Sequence, residues 1–145
     1  MIRRQLINFQ NRSVDVRVGL GAFDELSRMF ASAVGKPKRA MVVWNSASSE
    51  RFDEVVEHAL VDAGFAVSPL VLEVSPAGAT LADADAIFGA LSANGITCDD
   101  LVVAVGDAAT CSVVSWCANQ WCGRTECALL PTTFDAMLTV ATTMN

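Results

Sequence analysis

At 145 residues, 52% hydrophobic and 18% charged, the chain has apolar material for one core and too little length for two ordinary domains, so residues 1–145 read as a single domain. Ten basic against sixteen acidic residues leave a formal net charge of −6, which argues against a nucleic-acid partner or an anionic membrane surface. No apolar run approaches the roughly 20 residues that span a bilayer, and Met1-Ile2-Arg3-Arg4 has no apolar stretch behind it, so the expectation is a soluble, cytoplasmic protein.

Gln5 to Gln10 and Ser13 to Val18 alternate in side-chain character around Asn11-Arg12, which predicts an N-terminal β-hairpin. The period then changes. Phe23, Leu26, Met29 and Phe30 share one helical face over Ala22 to Ala33, and Gly35-Lys36-Pro37 ends that helix. Ala40 to Trp44 is a continuous apolar run of strand length, suited to a strand buried on both faces, with Asn45-Ser46 at its end. Phe52, Val55, Val56, Ala59, Leu60 and Ala63 follow the i, i+3, i+4, i+7 spacing of an amphipathic helix over Glu50 to Ala63, closed by Gly64. Phe65 to Val74 reads as a strand broken by Ser75-Pro76-Ala77-Gly78. Thr80 and Asp83 form a capping-box pattern that opens a helix through Leu91, closed by Asn94-Gly95.

Leu101 to Val105 is a second buried strand, Ala108 to Trp121 a helix, and Cys127 to Leu130 a short last strand before Pro131-Thr132-Thr133. Strands alternating with helices imply right-handed crossovers and a mostly parallel sheet covered on both faces. The predicted architecture is an α/β, Rossmann-like three-layer sandwich with a mostly parallel sheet and an N-terminal β-hairpin.

Five cysteines, at 98, 111, 117, 122 and 127, include no Cys-x-x-Cys pair and read as reduced, mostly buried small hydrophobes. His58 is the only histidine and reads as a surface or boundary residue rather than a ligand or base. No metal ligand set and no catalytic residue are therefore assigned. Trp116 and Trp121 read as packing residues and Arg124 as a solvated loop cation.

In an open α/β sheet, ligands collect beyond the C-terminal ends of the strands, where helix N-termini can hold phosphate. That places the candidate loops at Asn45-Ser46, Ser75 to Gly78, Gly106 to Thr110 and Pro131 to Thr133. The run Asp99-Asp100-Leu101-Val102-Val103-Ala104-Val105-Gly106, the helix after it, and Leu129-Leu130-Pro131-Thr132-Thr133-Phe134-Asp135-Ala136-Met137 together resemble the NAD-binding N-terminal domain of 3-dehydroquinate synthase. The resemblance extends over essentially the whole chain. It implies a place in the shikimate route to aromatic amino acids, a lyase that eliminates phosphate, and NAD contacts at Asn45, Gly106, Asp107, Ala108, Thr132 and Thr133. The family's metal, held by a Glu and two His, belongs to a C-terminal helical domain.

The polar signature of that family is largely replaced here. Three consecutive glycines become Gly106-Asp107-Ala108, a following Gly-Asp becomes Cys111-Ser112, and Arg-Gly appears reversed as Gly123-Arg124. Gly-Glu-x-x-Lys falls on Ser75-Pro76-Ala77-Gly78-Ala79, the substrate-site Asp on Thr139, and Gly-Gly-Lys on Thr143-Met144-Asn145. A Cβ at Ala108 crowds a diphosphate, a carboxylate at Asp107 repels it, and Asp107 is placed to cap the helix that an anion would otherwise cap.

Three readings follow from the sequence. The first is a 3-dehydroquinate synthase NAD-binding domain, with NAD binding weak or lost and the isolated chain inactive. The second is a non-catalytic, degenerate synthase-like domain acting as an interaction or oligomerisation module. The third is a glycerol dehydrogenase-like cofactor domain, since that family shares the glycine-rich and Pro-Thr-Thr elements. The partners these readings admit are a second copy in a homodimer or a missing C-terminal domain. An exposed apolar face after Thr133, involving Phe134, Met137, Leu138 and Val140, would suggest self-association.

Overall fold

A computed structural model describes residues 1–10 and 12–140. Strands β1 (Arg3–Phe9) and β2 (Arg12–Val18) form the hairpin; a 3-10 turn (Ala22–Glu25) leads into α1 (Leu26–Ala33). Then β3 (Arg39–Trp44), α2 (Ser46–Ala63), β4 (Ala66–Val71), α3 (Leu81–Ala93) and β5 (Leu101–Gly106) alternate. The chain continues through α4 (Ala108–Gln120), a 3-10 turn (Trp121–Gly123), β6 (Glu126–Pro131) and α5 (Phe134–Val140).

The second sheet is four-stranded and wholly parallel, in the order β4-β3-β5-β6. The two central strands are the two continuous apolar runs, and their residues from Ala40 to Trp44 and Leu101 to Val105 are all buried. Their alternation splits the core. Ala40, Val42, Trp44, Leu101, Val103 and Val105 pack with Leu26, Phe30, Val56 and Leu60 of α1 and α2. Met41, Val43, Val102 and Ala104 pack with Ala84, Ile87, Leu91, Val114 and Cys117 of α3 and α4. Each fully buried Val or Leu contributes about 1.5–3 kcal/mol, so these two rows hold the sandwich together. The predicted α/β three-layer class is the observed one.

The element bounds differ from the sequence expectations in ways that long-range contacts explain. Helix α2 starts at Ser46 rather than Glu50, because Asn45 caps it. β4 ends at Val71 rather than Val74, and Val74 instead joins the core beneath α3. Pro69 is tolerated in β4 because Ala66 and Leu72 donate their N–H groups to Lys38 and Trp44. That parity turns position 69 toward the free edge, where a missing N–H costs no ladder bond. The helix expected over Ala22 to Ala33 begins as a 3-10 turn. The hairpin turn lies one residue earlier than expected, at Gln10, with Asn11 outside the described residues.

Helix ends follow local rules. The Thr80–Asp83 capping box is formed in both directions. At the end of α2, Phe65 donates to Leu60 and Gly64 to Val61, a Schellman closure that needs the left-handed φ of +104° at Gly64. The hairpin forms its own two-stranded sheet, separate from the parallel one. Arg4 and Arg17 pair with Asp15, and Arg17 also with Glu25. The Arg4 hydrogen bond, followed by those of Arg17, holds the Asp15 carboxyl below its ordinary range.

Candidate functional site

The chain leaves β3 outward to β4 and then crosses back over it to β5, so the topological switch point lies between the C-terminal ends of β3 and β5. Trp44 pairs with Val105, and Gly106 with Pro131. Asn45, the Gly106–Ala108 turn and Thr132-Thr133 are therefore brought to three adjacent strand ends, as a dinucleotide crevice requires. The N–H of Thr132 donates to the Gly106 carbonyl at 2.9 Å and locks the last two ends together.

The side chains at these ends serve their own helices. Asn45 Oδ1 accepts from the Ser48 N–H at 2.9 Å and caps α2. Asp107 Oδ1 accepts from both the Thr110 N–H (3.0 Å) and the Thr110 hydroxyl (2.8 Å), capping α4. Thr133 Oγ1 accepts from the Ala136 N–H at 3.2 Å at the start of α5. The expected capping role of Asp107 is the observed one, and the same role extends to Asn45 and Thr133.

Gly106 also has an internal reason to be glycine. A Cβ there would stand 3.0 Å from the Thr110 Cβ and 3.2 Å from its Oγ1, so tight that the buried Thr110 would have to give by a few tenths of an ångström. Thr110 is fully buried beneath the turn, so Gly106 lets strand and helix meet and Asp107 then anchors the Thr110 hydroxyl. The Ala108 side chain is half-buried at the first turn of α4.

Sequence reasoning missed Glu73. Its carboxylate accepts from the Ser46 N–H at 2.9 Å and from the Ser46 hydroxyl, so the first turn of α2 is met by a charge from beyond β4. Those bonds, the hydroxyl one first, hold the Glu73 carboxyl below its ordinary range. Nothing local flags this residue, because its partner lies 27 positions earlier. The Ser75–Gly78 loop closes on itself, with Gly78 donating to the Ser75 carbonyl and Ala77 to the Ser75 hydroxyl.

At the Gly106–Ala108 turn the Asp107 carboxylate stands at a helix N-terminus where the fold class normally offers bare N–H groups. One unit charge at about 5 Å from another costs roughly 1 kcal/mol in water and about 3 kcal/mol at an effective dielectric of 20. Each 1.4 kcal/mol is tenfold in affinity, so one like charge at that distance corresponds to about fivefold to a hundredfold.

The remaining sequence candidates lie apart from this crevice. His58 is exposed on α2 and Arg124 exposed before β6. Trp121 stacks on Phe88 and donates its indole N–H to the Ile96 carbonyl at 2.7 Å, while Trp116 meets the same Phe88 ring. Cys111 and Cys117 are buried, and burial pushes their thiols up to about 12 and about 11. Cys127 packs against the α3/α4 layer and its thiol is likewise raised by burial. Cys98 and Cys122 are exposed because both sit in turns, so burial is less general among the cysteines than expected. Among the described residues, no group of three or more His, Cys, Asp or Glu could hold a metal ion. No helix among them is long and apolar enough to cross a membrane. Thr139 lies in α5, and the Thr143-Met144-Asn145 expectation falls outside the described residues. On α5, Phe134, Met137 and Leu138 are exposed, whereas Val140 packs partly against the α3/α4 side of the core.

No protein-family profile matches the chain, and no curated protein sequence does. Solved structures do resemble it. A 2-deoxy-scyllo-inosose synthase complexed with carbaglucose-6-phosphate, NAD+ and Co2+ superposes over 91% of this chain with a TM-score of 0.76 at 16% identity. The 2-epi-5-epi-valiolone synthase ValA from Streptomyces hygroscopicus subsp. jinggangensis 5008, with NAD+ and Zn2+ bound, superposes over 71% with a TM-score of 0.60 at 18% identity. The chain spans 36% and 28% of the length of those two proteins. At such identities the likeness is one of fold: this chain has the α/β architecture found in part of two NAD-containing synthases.

Proposed function

We propose that the chain is a 3-dehydroquinate synthase-like domain whose dinucleotide seat is filled by its own side chains. In this reading NAD binds weakly or not at all, the isolated chain carries out no synthase chemistry, and the domain serves as an interaction or oligomerisation module. The observation that carries it is the double acceptance by Asp107 of the Thr110 N–H and hydroxyl, at the turn that would face a diphosphate. Glu73 on Ser46 supports it from the neighbouring helix. The fold likeness to two synthases, together with the Pro131-Thr132-Thr133 turn after β6, supports the lineage. The exposed Phe134, Met137 and Leu138 of α5 supply an apolar surface for a second copy or a further domain. Five unpaired thiols agree with a reducing, cytoplasmic compartment.

Thermal unfolding with and without about 1 mM NAD tests the reading, since a ligand at 100 times its dissociation constant adds about 2.7 kcal/mol. The expected result is an unchanged midpoint and no heat of binding by calorimetry. Saturable NAD binding that Gly106→Asp or Thr132→Val abolishes would overturn it.

A further inference from the structure

Away from the strand ends, the outer surface between α2 and the 3-10 turn leading into α1 forms an open groove of about 810 Å³. Phe23, Val55 and Val61 line it with 42%, 47% and 58% of their surface exposed. Asp24, Glu54, Glu57 and Asp62 rim it. Among the described residues none of these four carboxylates forms an ion pair within 4 Å; His58 also lines the groove, and Asp62 accepts from the Ser27 hydroxyl at 2.8 Å. The exposed face of α2 is also built against itself. Glu54 follows Glu50 by four residues and precedes Glu57 by three, spacings at which like charges destabilise a helix. Arg51 lies at one end, over the Phe52 ring that meets Phe23, and four carboxylates against His58 leave the rim predominantly acidic, so an apolar floor so rimmed is complementary to a cationic, amphipathic occupant.

We propose that this groove docks a basic amphipathic helix of a partner protein. From Glu54 to Asp62 the groove follows α2 for about 12 Å, two turns at 1.5 Å per residue, which matches a helix anchored by apolar side chains at i, i+3 or i+4, and i+7. Lysines or arginines flanking those anchors meet the acidic rim. The same rim repels anionic lipid and nucleic acid. This surface lies on the helix layer rather than at the switch point, so the inference does not depend on the fate of the dinucleotide site.

The test uses the full chain and a fluorescein-labelled Leu/Lys/Arg peptide of about 12–15 residues, long enough for partial helicity, with a composition-matched scramble as control. Saturable binding is expected, with amide shifts on α1 and α2 and at least about tenfold weaker binding of the scramble. Glu54→Lys with Glu57→Lys should weaken binding by at least about tenfold, while Asp85→Lys on α3 with Asp99→Lys in the turn before β5, an equal change in net charge, should leave it within about twofold. Val61→Asp should weaken it comparably, with melting curves confirming that each variant folds. No saturable binding, equal loss in both charge pairs, or equal binding of the scramble overturns the proposal. Self-association of the free chain that Val61→Asp abolishes would give the groove to a second copy and overturn it also.

Discussion

Replacing Asp107 by Ala removes the acceptor of two hydrogen bonds at once, and the structure sets the size of the effect. The loss of an N-cap costs about 0.5–2 kcal/mol. The Thr110 hydroxyl is fully buried and would be left without its acceptor, which costs about 1–3 kcal/mol. Because both bonds end on the same oxygen, the terms overlap, and about 2–3 kcal/mol is the expected total. For a chain of this length that corresponds to a midpoint lower by roughly 5–10 °C. Urea unfolding followed by circular dichroism would measure it. A double-mutant cycle with Thr110→Val should return a coupling of about 1 kcal/mol, since the valine deletes the hydroxyl at nearly constant volume. The same Asp107→Ala variant loses the charge that repels a phosphate, so pyrophosphate at about 10 mM should raise its midpoint by more than that of the parent chain. A variant within about 0.5 kcal/mol of the parent, or strictly additive with Thr110→Val, would refute the capping argument, and equal pyrophosphate effects on both would refute the charge argument.

Three further outcomes are expected. Glu73 has a folded pKa held below its unfolded value of about 4.3, so its contribution is fully present above that pH and is lost as pH falls through the lower folded value. The stability gap between the parent chain and Glu73→Gln, measured in urea, should therefore be present at neutral pH and vanish in acid; a gap that widens in acid contradicts the assignment. Asp100→Ala should destabilise by about 2–3 kcal/mol, because the buried carboxylate accepts from the Thr97 N–H and hydroxyl and the Arg39 N–H, which it would leave unpaired. A thiol reagent under native conditions should modify Cys98 and Cys122 rapidly and Cys111, Cys117 and Cys127 only on unfolding, and early labelling of Cys111 by mass spectrometry would show the α4 turn to be open.

Much of this protein was legible in one dimension because it is governed by neighbours in sequence. The uninterrupted apolar runs at Ala40 to Trp44 and Leu101 to Val105 announce strands buried on both faces, and Thr80 with Asp83 announces a helix start, as both proved to be. Asp107 as a cap three residues before Thr110 belongs to the same class of local rule. What depended on pairing across long separations was not legible. The β4-β3-β5-β6 order alone sets Asn45 beside Gly106, exempts Pro69 from the ladder and keeps the hairpin in a sheet of its own. Glu73 reaches Ser46 only because β3 and β4 lie side by side, and that contact helps to define where α2 begins. Local periodicity records which face of an element is apolar. Only the tertiary structure decides which other element covers that face and which distant side chain completes a helix end.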